Sequence, residues 1–263
     1  MLLALDIGNS NTLCGVYDDG SPTLRSSFRL STDRDRTPDE WLALLTTMLA
    51  ADGMRLADID AVVLSSVVPG VTTWLLEMSR RRLRLEPTVV SAALAADLGV
   101  RLLVGEPEKV GADRIVDCVA AFARYGGPAI VIDLGTATTL DVVSAEGDYL
   151  GGAIAAGVAT SLQALATNAA QLFNIELHLP QRTVGTTTVE QLRSGIVLGH
   201  LLMLEGMIGR IREEIGVAAS TVLTGGLAPL LADRSPSFDH HDPNLTIDGL
   251  KMIHDRMAGG MRR

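Results

Sequence analysis

Two short segments share a spacing of groups that could hold phosphate. Asp6-Ile7-Gly8-Asn9-Ser10-Asn11-Thr12 and Asp133-Leu134-Gly135-Thr136-Ala137-Thr138-Thr139 fit one Asp-x-Gly-x-x-x-Thr frame, each following an apolar run. Backbone N–H groups can face anionic oxygens only where the chain turns and side chains are small, which Gly and short polar residues permit. A carboxylate at the strand end cannot bind phosphate itself. Asp6 could hold Mg²⁺, directly or through water, and the metal would bridge the phosphates. One copy alone would read better as an ordinary hairpin turn, because Asn, Asp and Gly are common turn residues. Two copies at strand ends favour the phosphate reading. Thr224-Gly225-Gly226 follows a short strand, and its glycines would let a flat ring such as adenine approach the backbone; the alternative there is a strand-to-helix turn. No Gly-x-x-x-x-Gly-Lys-Ser/Thr occurs, which excludes the P-loop class, and no Gly-x-Gly-x-x-Gly supports a dinucleotide fold.

The elements that must position these groups follow from periodicity. The runs Leu2 to Leu5 and Leu13 to Tyr17 predict two strands around the first loop. Thr37, Pro38 and Glu40 have the layout of a capping box and open a helix through Ala51. Ala61 to Val68 reads as a buried strand, a basic amphipathic helix follows from about Thr72, and Thr88 to Val90 returns to strand. A helix from about Gly111 to Tyr125 leads into the apolar run Ala129 to Ile132 and the second loop. Tyr149 to Ile175 carries no charge and reads as a strand end, a Gly-rich loop and a buried helix. Thr188 to Gly216 reads as one long helix, or two broken near Gly195 or Gly199, and Thr221 to Leu223 as a short strand. Asp6 recurs as Asp133, 127 residues on, an interval too long for a solenoid and suited to a duplicated domain. Alternating strands and helices in each half predict an α/β fold with mixed sheets, divided as residues 1–117 and 118–263, the two halves facing one another across a cleft.

Composition narrows the classes. The 263 residues are 47% hydrophobic and 20% charged, enough for a sizeable core and against disorder outside a tail from Met257 to Arg263. Net charge is −9, Lys109 and Lys251 are the only lysines, and the Arg80-Arg81-Arg82 triplet reads as a solvated helix face, so nucleic acid is not expected as a partner. Cys14 and Cys118 fit reduced core thiols, and His178, His200, His240, His241 and His254 show no metal-ligand spacing. Trp41 and Trp74 read as core. Asp6 interrupts the apolar run at Met1 to Leu5, so no secretory leader is expected; Gly151, Gly152, Ser161, Gln163, Asn168 and Gln171 argue against Tyr149 to Ile175 as a membrane span, and the cytoplasm is the expected location.

With these elements in place, the chain resembles the actin-like ATPase superfamily with ribonuclease H-like domains, and within it type III pantothenate kinases. The resemblance rests on an ordered set: Asp6 to Thr12, Ser65-Ser66-Val67-Val68-Pro69, Gly111-Ala112-Asp113-Arg114, Asp133 to Thr139, Leu150-Gly151-Gly152, Thr188 with Ser194-Gly195, Thr224-Gly225-Gly226-Leu227-Ala228-Pro229 and Asp242-Pro243-Asn244-Leu245-Thr246. It implies ATP-dependent phosphorylation of pantothenate, the first committed step toward coenzyme A. By that resemblance Asp113 is the proton acceptor, and Gly111, Ala112, Asp113, Arg114 and Thr188 contact pantothenate, Arg114 being suited to its carboxylate. The loop Asp6 to Thr12 with Leu13, and Thr136, contact ATP; Asp6 and Asp133 are the metal-binding positions, Asp133 for a monovalent cation, K⁺ or NH₄⁺. A homodimer whose contact uses the second half is implied as well.

Three departures from the family pattern bear on the substrate pocket: Val104-Gly105-Glu106-Pro107 for Tyr-x-Asn-Pro, Ala155-Ala156-Gly157 for Ala-Pro-Gly, and Ala169-Ala170-Gln171-Leu172-Phe173 for Thr-Ala-Lys-Leu-Pro. Two other readings stay open at this level. One is a non-catalytic relative acting as an accessory regulator; the other is a kinase of a sugar or short acid.

Overall fold

The computed structural model describes residues 1–169 and 172–260. In chain order its strands are β1 (Leu2–Ile7), β2 (Asn11–Tyr17), β3 (Leu24–Ser31), β4 (Ala61–Ser66), β5 (Thr88–Val89), β6 (Ala129–Leu134), β7 (Ala137–Val143), β8 (Tyr149–Ala156), β9 (Ser220–Thr224) and β10 (His240–His241). The helices are α1 (Pro38–Ala51), α2 (Pro69–Met78), α3 (Ala92–Ala95), α4 (Ala112–Tyr125), α5 (Val158–Asn168), α6 (Thr188–Arg193), α7 (Gly199–Ile215) and α8 (Leu245–Gly260). They form two compact units, Met1–Ala120 with the chain from Asn244 onward, and Ala121–Pro243.

The first unit is built on a mixed sheet of order β3-β2-β1-β4-β5, in which β1 pairs antiparallel with β2 and parallel with β4. Alternation along β1 sends Leu3, Leu5 and Ile7 into one apolar cluster with Trp41, Leu45 and Leu49 of α1 and Val71, Leu75 and Met78 of α2. Helix α1 starts as its sequence demands. The Thr37 hydroxyl accepts from the Glu40 N–H at 3.4 Å, the Glu40 carboxylate accepts from the Thr37 N–H at 2.7 Å, and Pro38 fills the first helical position. Helix α2 begins at Pro69, earlier than its apolar pattern alone indicates, and its basic end is a π-helical turn, Ser79–Leu83. Arg80, Arg81 and Arg82 there pair with Glu86, Glu77 and Asp39 on the surface.

The second unit repeats the topology with the order β10-β9-β6-β7-β8. Ile130, Ile132 and Leu134 of β6 pack with Val158 of α5 and with Leu201, Leu204, Ile208 and Ile211 of α7. Residues 188–215 run as one helix through a π-helical turn at Ser194–Leu198, at the glycines where a break was conceivable. By length and composition alone this helix could cross a membrane; one stripe of it lies on the sheet.

The repeat is closer than the sequence frame indicates, and it corrects that frame. Strands β1 and β6 have the same burial pattern, as do β2 and β7. Ile7 faces Thr12, and Leu134 faces Thr138, so the equivalent of Thr12 is Thr138 and not Thr139. The cause is loop length: Gly8 to Ser10 joins the first pair of strands, and only Gly135 and Thr136 join the second.

Other differences from the sequence reading have plain causes. The last helix does not belong with the second half, as a division at 118–263 supposed; α8 packs on β1, β2 and β4 of the first sheet. Gly15 and Gly249 make room for it, since a Cβ on Gly15 would lie 2.6 Å from Ile247 and one on Gly249 2.7 Å from Val116. Met257 to Gly260 continue this helix instead of forming a tail, while residues 261–263 lie outside the described part. Gly151 and Gly152 lie within β8, not in a loop. Gly151 takes a φ of +107° where the register shifts opposite Val142/Val143, and a Cβ on Gly152 would sit 1.8 Å from the Leu140 carbonyl oxygen. Helix α5 is mostly solvent-exposed, burying only Val158 and Leu162. Trp41 is fully buried, Trp74 partly, and the two cysteines are buried with no disulfide.

Candidate active site

Asp6 occupies the end of β1, beside Ser65 of β4 in the parallel register, and the Ser65 hydroxyl donates to its Oδ1 at 3.1 Å. The loop beyond is closed by Gly8 N–H to the Asn11 carbonyl at 3.0 Å, and Thr32 N–H donates to the Ser10 carbonyl at 3.0 Å. Thr12 is buried and shares a hydrogen bond with the Thr32 hydroxyl at 2.9 Å. Asn9, Ser10 and Asn11 are exposed; Ile7 is buried, Gly8 and Leu13 half-buried. Of the expected ATP contacts, then, Ile7 and Thr12 shape the loop from inside, and the exposed side chains are those of Asn9, Ser10 and Asn11. The negative charge of Asp6 is felt within the sheet, where it adds to burial in raising the Cys14 thiol pKa.

The second loop has a tighter enclosure. Gly135 N–H donates to the Ala137 carbonyl at 2.9 Å, and the Thr136 carbonyl accepts both from Gly157 N–H at 3.1 Å and from the Thr160 hydroxyl at 2.6 Å. Thr136 itself is exposed. Asp133 lies beside Thr224 in the parallel register, the place that Asp6 holds beside Ser65. Gly225 follows with a φ of +94°, and a Cβ there would be 2.2 Å from Asp133 Oδ1 and 2.6 Å from the Leu134 nitrogen. The glycine turn after β9 therefore serves to leave room for this carboxylate.

Gly111 to Arg114 open α4. Asp113 Oδ1 accepts from the Arg114 N–H at 2.8 Å, and a Cβ on Gly111 would meet that oxygen at 2.4 Å. Gly111 thus permits the carboxylate to fold back over the helix start. Burial raises the Asp113 pKa above the ordinary carboxylate value, against the hydrogen bond and positive charge of Arg114, which act to lower it. The Nε and Nη2 atoms of Arg114 are withdrawn from solvent. Thr188 is exposed at the first position of α6, where Thr187 and Glu190 form a second capping box. Backbone and hydroxyl donation from Thr186, then backbone donation from Thr187, lowers the Glu190 pKa.

The expected site residues divide between the units. Asp6 to Leu13 and Gly111 to Arg114 fall in the first; Asp133, Thr136 and Thr188 fall in the second. Both Asp6 and Asp133 offer hard oxygen donors at strand ends, the donor type that Mg²⁺ and alkali cations take. Among the described residues no group of three or more His, Cys, Asp and Glu could enclose a metal.

A family model described as type III pantothenate kinase matches residues 2–210. A type III pantothenate kinase of Paramagnetospirillum magneticum is 45% identical over 262 residues, covering 100% of both chains, and one of Thermomicrobium roseum is 43% identical over 257 residues, covering 98% of each. The chain belongs to the type III pantothenate kinase family. Among solved structures, a conserved Baf family transcriptional activator from Campylobacter jejuni aligns over 98% of this chain and 99% of its own with a TM-score of 0.62 at 20% identity. A ROK hexokinase from Thermus thermophilus aligns over 98% and 99% with a TM-score of 0.53 at 14% identity. These last two likenesses concern the fold alone, the duplicated α/β architecture.

Three segments were expected to depart from the family pattern. Glu106, in the segment lacking the usual tyrosine, pairs with Lys109 at 2.5 Å on the surface, and Ala156 ends β8 opposite Ala137. Of the third, Ala170 and Gln171 lie outside the described residues. Sequence reasoning missed the loop contacts of Thr32, Gly157 and Thr160, and gave Ser65 no role.

Proposed function

We propose that this chain transfers the γ-phosphoryl group of ATP to the primary hydroxyl of pantothenate, forming 4′-phosphopantothenate at the start of coenzyme A biosynthesis. The observation that carries this reading is the family match running nearly end to end, together with Asp113, half-buried and accepting at a helix start. Phosphoryl transfer passes through a loose transition state, so the attacking hydroxyl loses its proton late, and position counts for more than basicity. Asp113 accepts that proton, and its raised pKa brings it closer to the range where a base is effective. Arg114 pairs with the pantothenate carboxylate, and Thr188 orients the substrate. The first loop and Thr136 hold ATP. Mg²⁺ at Asp6 would neutralise charge on the phosphates, and K⁺ or NH₄⁺ at Asp133 would add to this.

The working form is a cytoplasmic homodimer joined through the second unit. What supports the dimer contact is the distribution of exposed large apolar side chains: among the described residues all but Leu103 belong to that unit, with Ile154 68% and Leu202 55% exposed. The regulator reading gains no support from a fold likeness at 20% identity, and a protein that only binds has no use for a half-buried carboxylate base.

The test is ADP release by purified protein with ATP, Mg²⁺ and K⁺, with and without pantothenate, the product being identified by mass. Pantothenate-dependent release with phosphopantothenate formed is expected. Nucleotide binding without release would reject the kinase reading.

A further inference from the structure

The two halves hold their hairpin loops by different means. In the first, one residue does two jobs: Thr32 donates its N–H to the Ser10 carbonyl and bonds Thr12 through its hydroxyl. Ser10 corresponds to Thr136, and Thr12 to Thr138, by the register of the repeated strands. Gly157 takes the place of Thr32, since its N–H donates to the Thr136 carbonyl in the same way. It can do only the first job. A Cβ on Gly157 would lie 2.3 Å from the Gly135 oxygen and 2.6 Å from the Thr136 oxygen, so no side chain fits there to reach Thr138.

The Thr138 hydroxyl is nevertheless satisfied. His200 Nε2 lies 3.0 Å from it, both residues being buried. His200 stands in the first turn of α7, on the continuous helix that begins at Thr188 and passes through the π-helical turn at Ser194–Leu198. Burial lowers its pKa, favouring the neutral ring, which can donate or accept according to tautomer.

We infer that His200 is a positioning residue: through Thr138 it fixes the Gly135–Thr136 loop in place of the side chain Gly157 lacks, and ties that loop to the helix headed by Thr188. The inference rests on the proposal that Thr136 contacts ATP and Thr188 pantothenate. It makes the hydrogen bond a link between the grip on nucleotide and the grip on acceptor, set within one unit.

A double-mutant cycle tests it, with KM for ATP, KM for pantothenate, kcat and melting temperature measured for Thr138→Val, His200→Leu, the pair combined, and His200→Gln. Losing one buried hydrogen bond is expected to raise KM for ATP about 5- to 10-fold in each single variant, with a smaller rise for pantothenate and kcat within about twofold. The combined variant should be no worse than either single, because both act on one bond. His200→Gln, which can still bond the hydroxyl, should recover most of the affinity and also serves if His200→Leu does not fold. Fold changes that multiply in the combined variant, or KM values unmoved while only melting temperature falls, would overturn the inference. Thr136→Ala separates the two levels. An unchanged KM for ATP there removes the loop assignment and the inference together; a raised KM beside a multiplicative cycle removes the inference alone.

Discussion

Asp113 stands at the start of a helix whose dipole favours a negative charge, yet burial dominates and raises its pKa. The folded protein therefore binds this proton more tightly than the unfolded chain does. Its contribution to stability is full below the unfolded value of ~3.9 and is lost as pH rises through the folded value, so the ionised group works against folding at neutral pH. Asp113→Asn should abolish turnover by at least about 100-fold, leave ATP binding unchanged, and raise the melting temperature at pH 7. Calorimetry beside the kinase assay checks both halves; a lower melting temperature would contradict the burial argument. In the active protein, the acid limb of the pH–rate profile should sit above the ordinary carboxylate range. Gly225 carries a different constraint. Gly225→Ala places a methyl 2.2 Å from Asp133 Oδ1 at a φ of +94°, and should cost about 1–3 kcal/mol in stability and at least tenfold in activity, with a weakened response to K⁺ titration. The strand-end placing of the two aspartates was legible from spacing alone, because a carboxylate before a Gly turn recurs within the chain. Their supports were not, since Ser65 reaches Asp6 across 59 residues and His200 reaches Thr138 across 62.

At the level of elements, the duplication was readable because each copy places an apolar strand before a turn, and local pattern fixes local geometry. The interval between the copies was not readable to the residue. A loop shorter by one in the second half shifts every later equivalence, and only the pairing of Leu134 with Thr138 reveals it. Strand β3 went unrecognised because Arg25 and Arg29 interleave with Ser26, Ser27 and Phe28 on a strand at the edge of the sheet, so the strand lacks an apolar run. The destination of α8 was beyond sequence reach for another reason: an amphipathic helix has the same period whichever sheet it covers. Its seat is set by the glycines beneath and within it. Gly249→Val would press a branched side chain against the Val116 carbonyl oxygen, 2.9 Å from the new Cβ, and should destabilise the first unit by about 1–3 kcal/mol. Thermal unfolding followed by circular dichroism measures this. Equal stability would mean that α8 is not held at that point.

For the molecule as a whole, exposed apolar surface is distributed unevenly. The first unit covers one face of its sheet with α1 and α2 and packs α8 against the same sheet, leaving Leu103 as its exposed large apolar side chain among the described residues. The second unit ends its sheet with β8, an edge strand whose exposed positions are Leu150, Gly152, Ile154 and Ala156, and it also exposes Leu165, Phe173, Val184, Leu202 and Val217. An uncovered apolar edge invites pairing or aggregation unless another surface occupies it, and a second copy of the chain is the occupant that the proposed homodimer supplies. Ile154→Asp tests this directly. A carboxylate placed inside a dimer contact would have to be desolvated without a partner, so association should weaken at least tenfold and sedimentation velocity should show the monomer at micromolar protein. Leu103→Asp, in the other unit, should leave the dimer intact and controls for charge alone. If both variants sediment as the unaltered protein does, β8 is not the contact; if only Ile154→Asp dissociates, its turnover per chain then reports whether one copy suffices for catalysis.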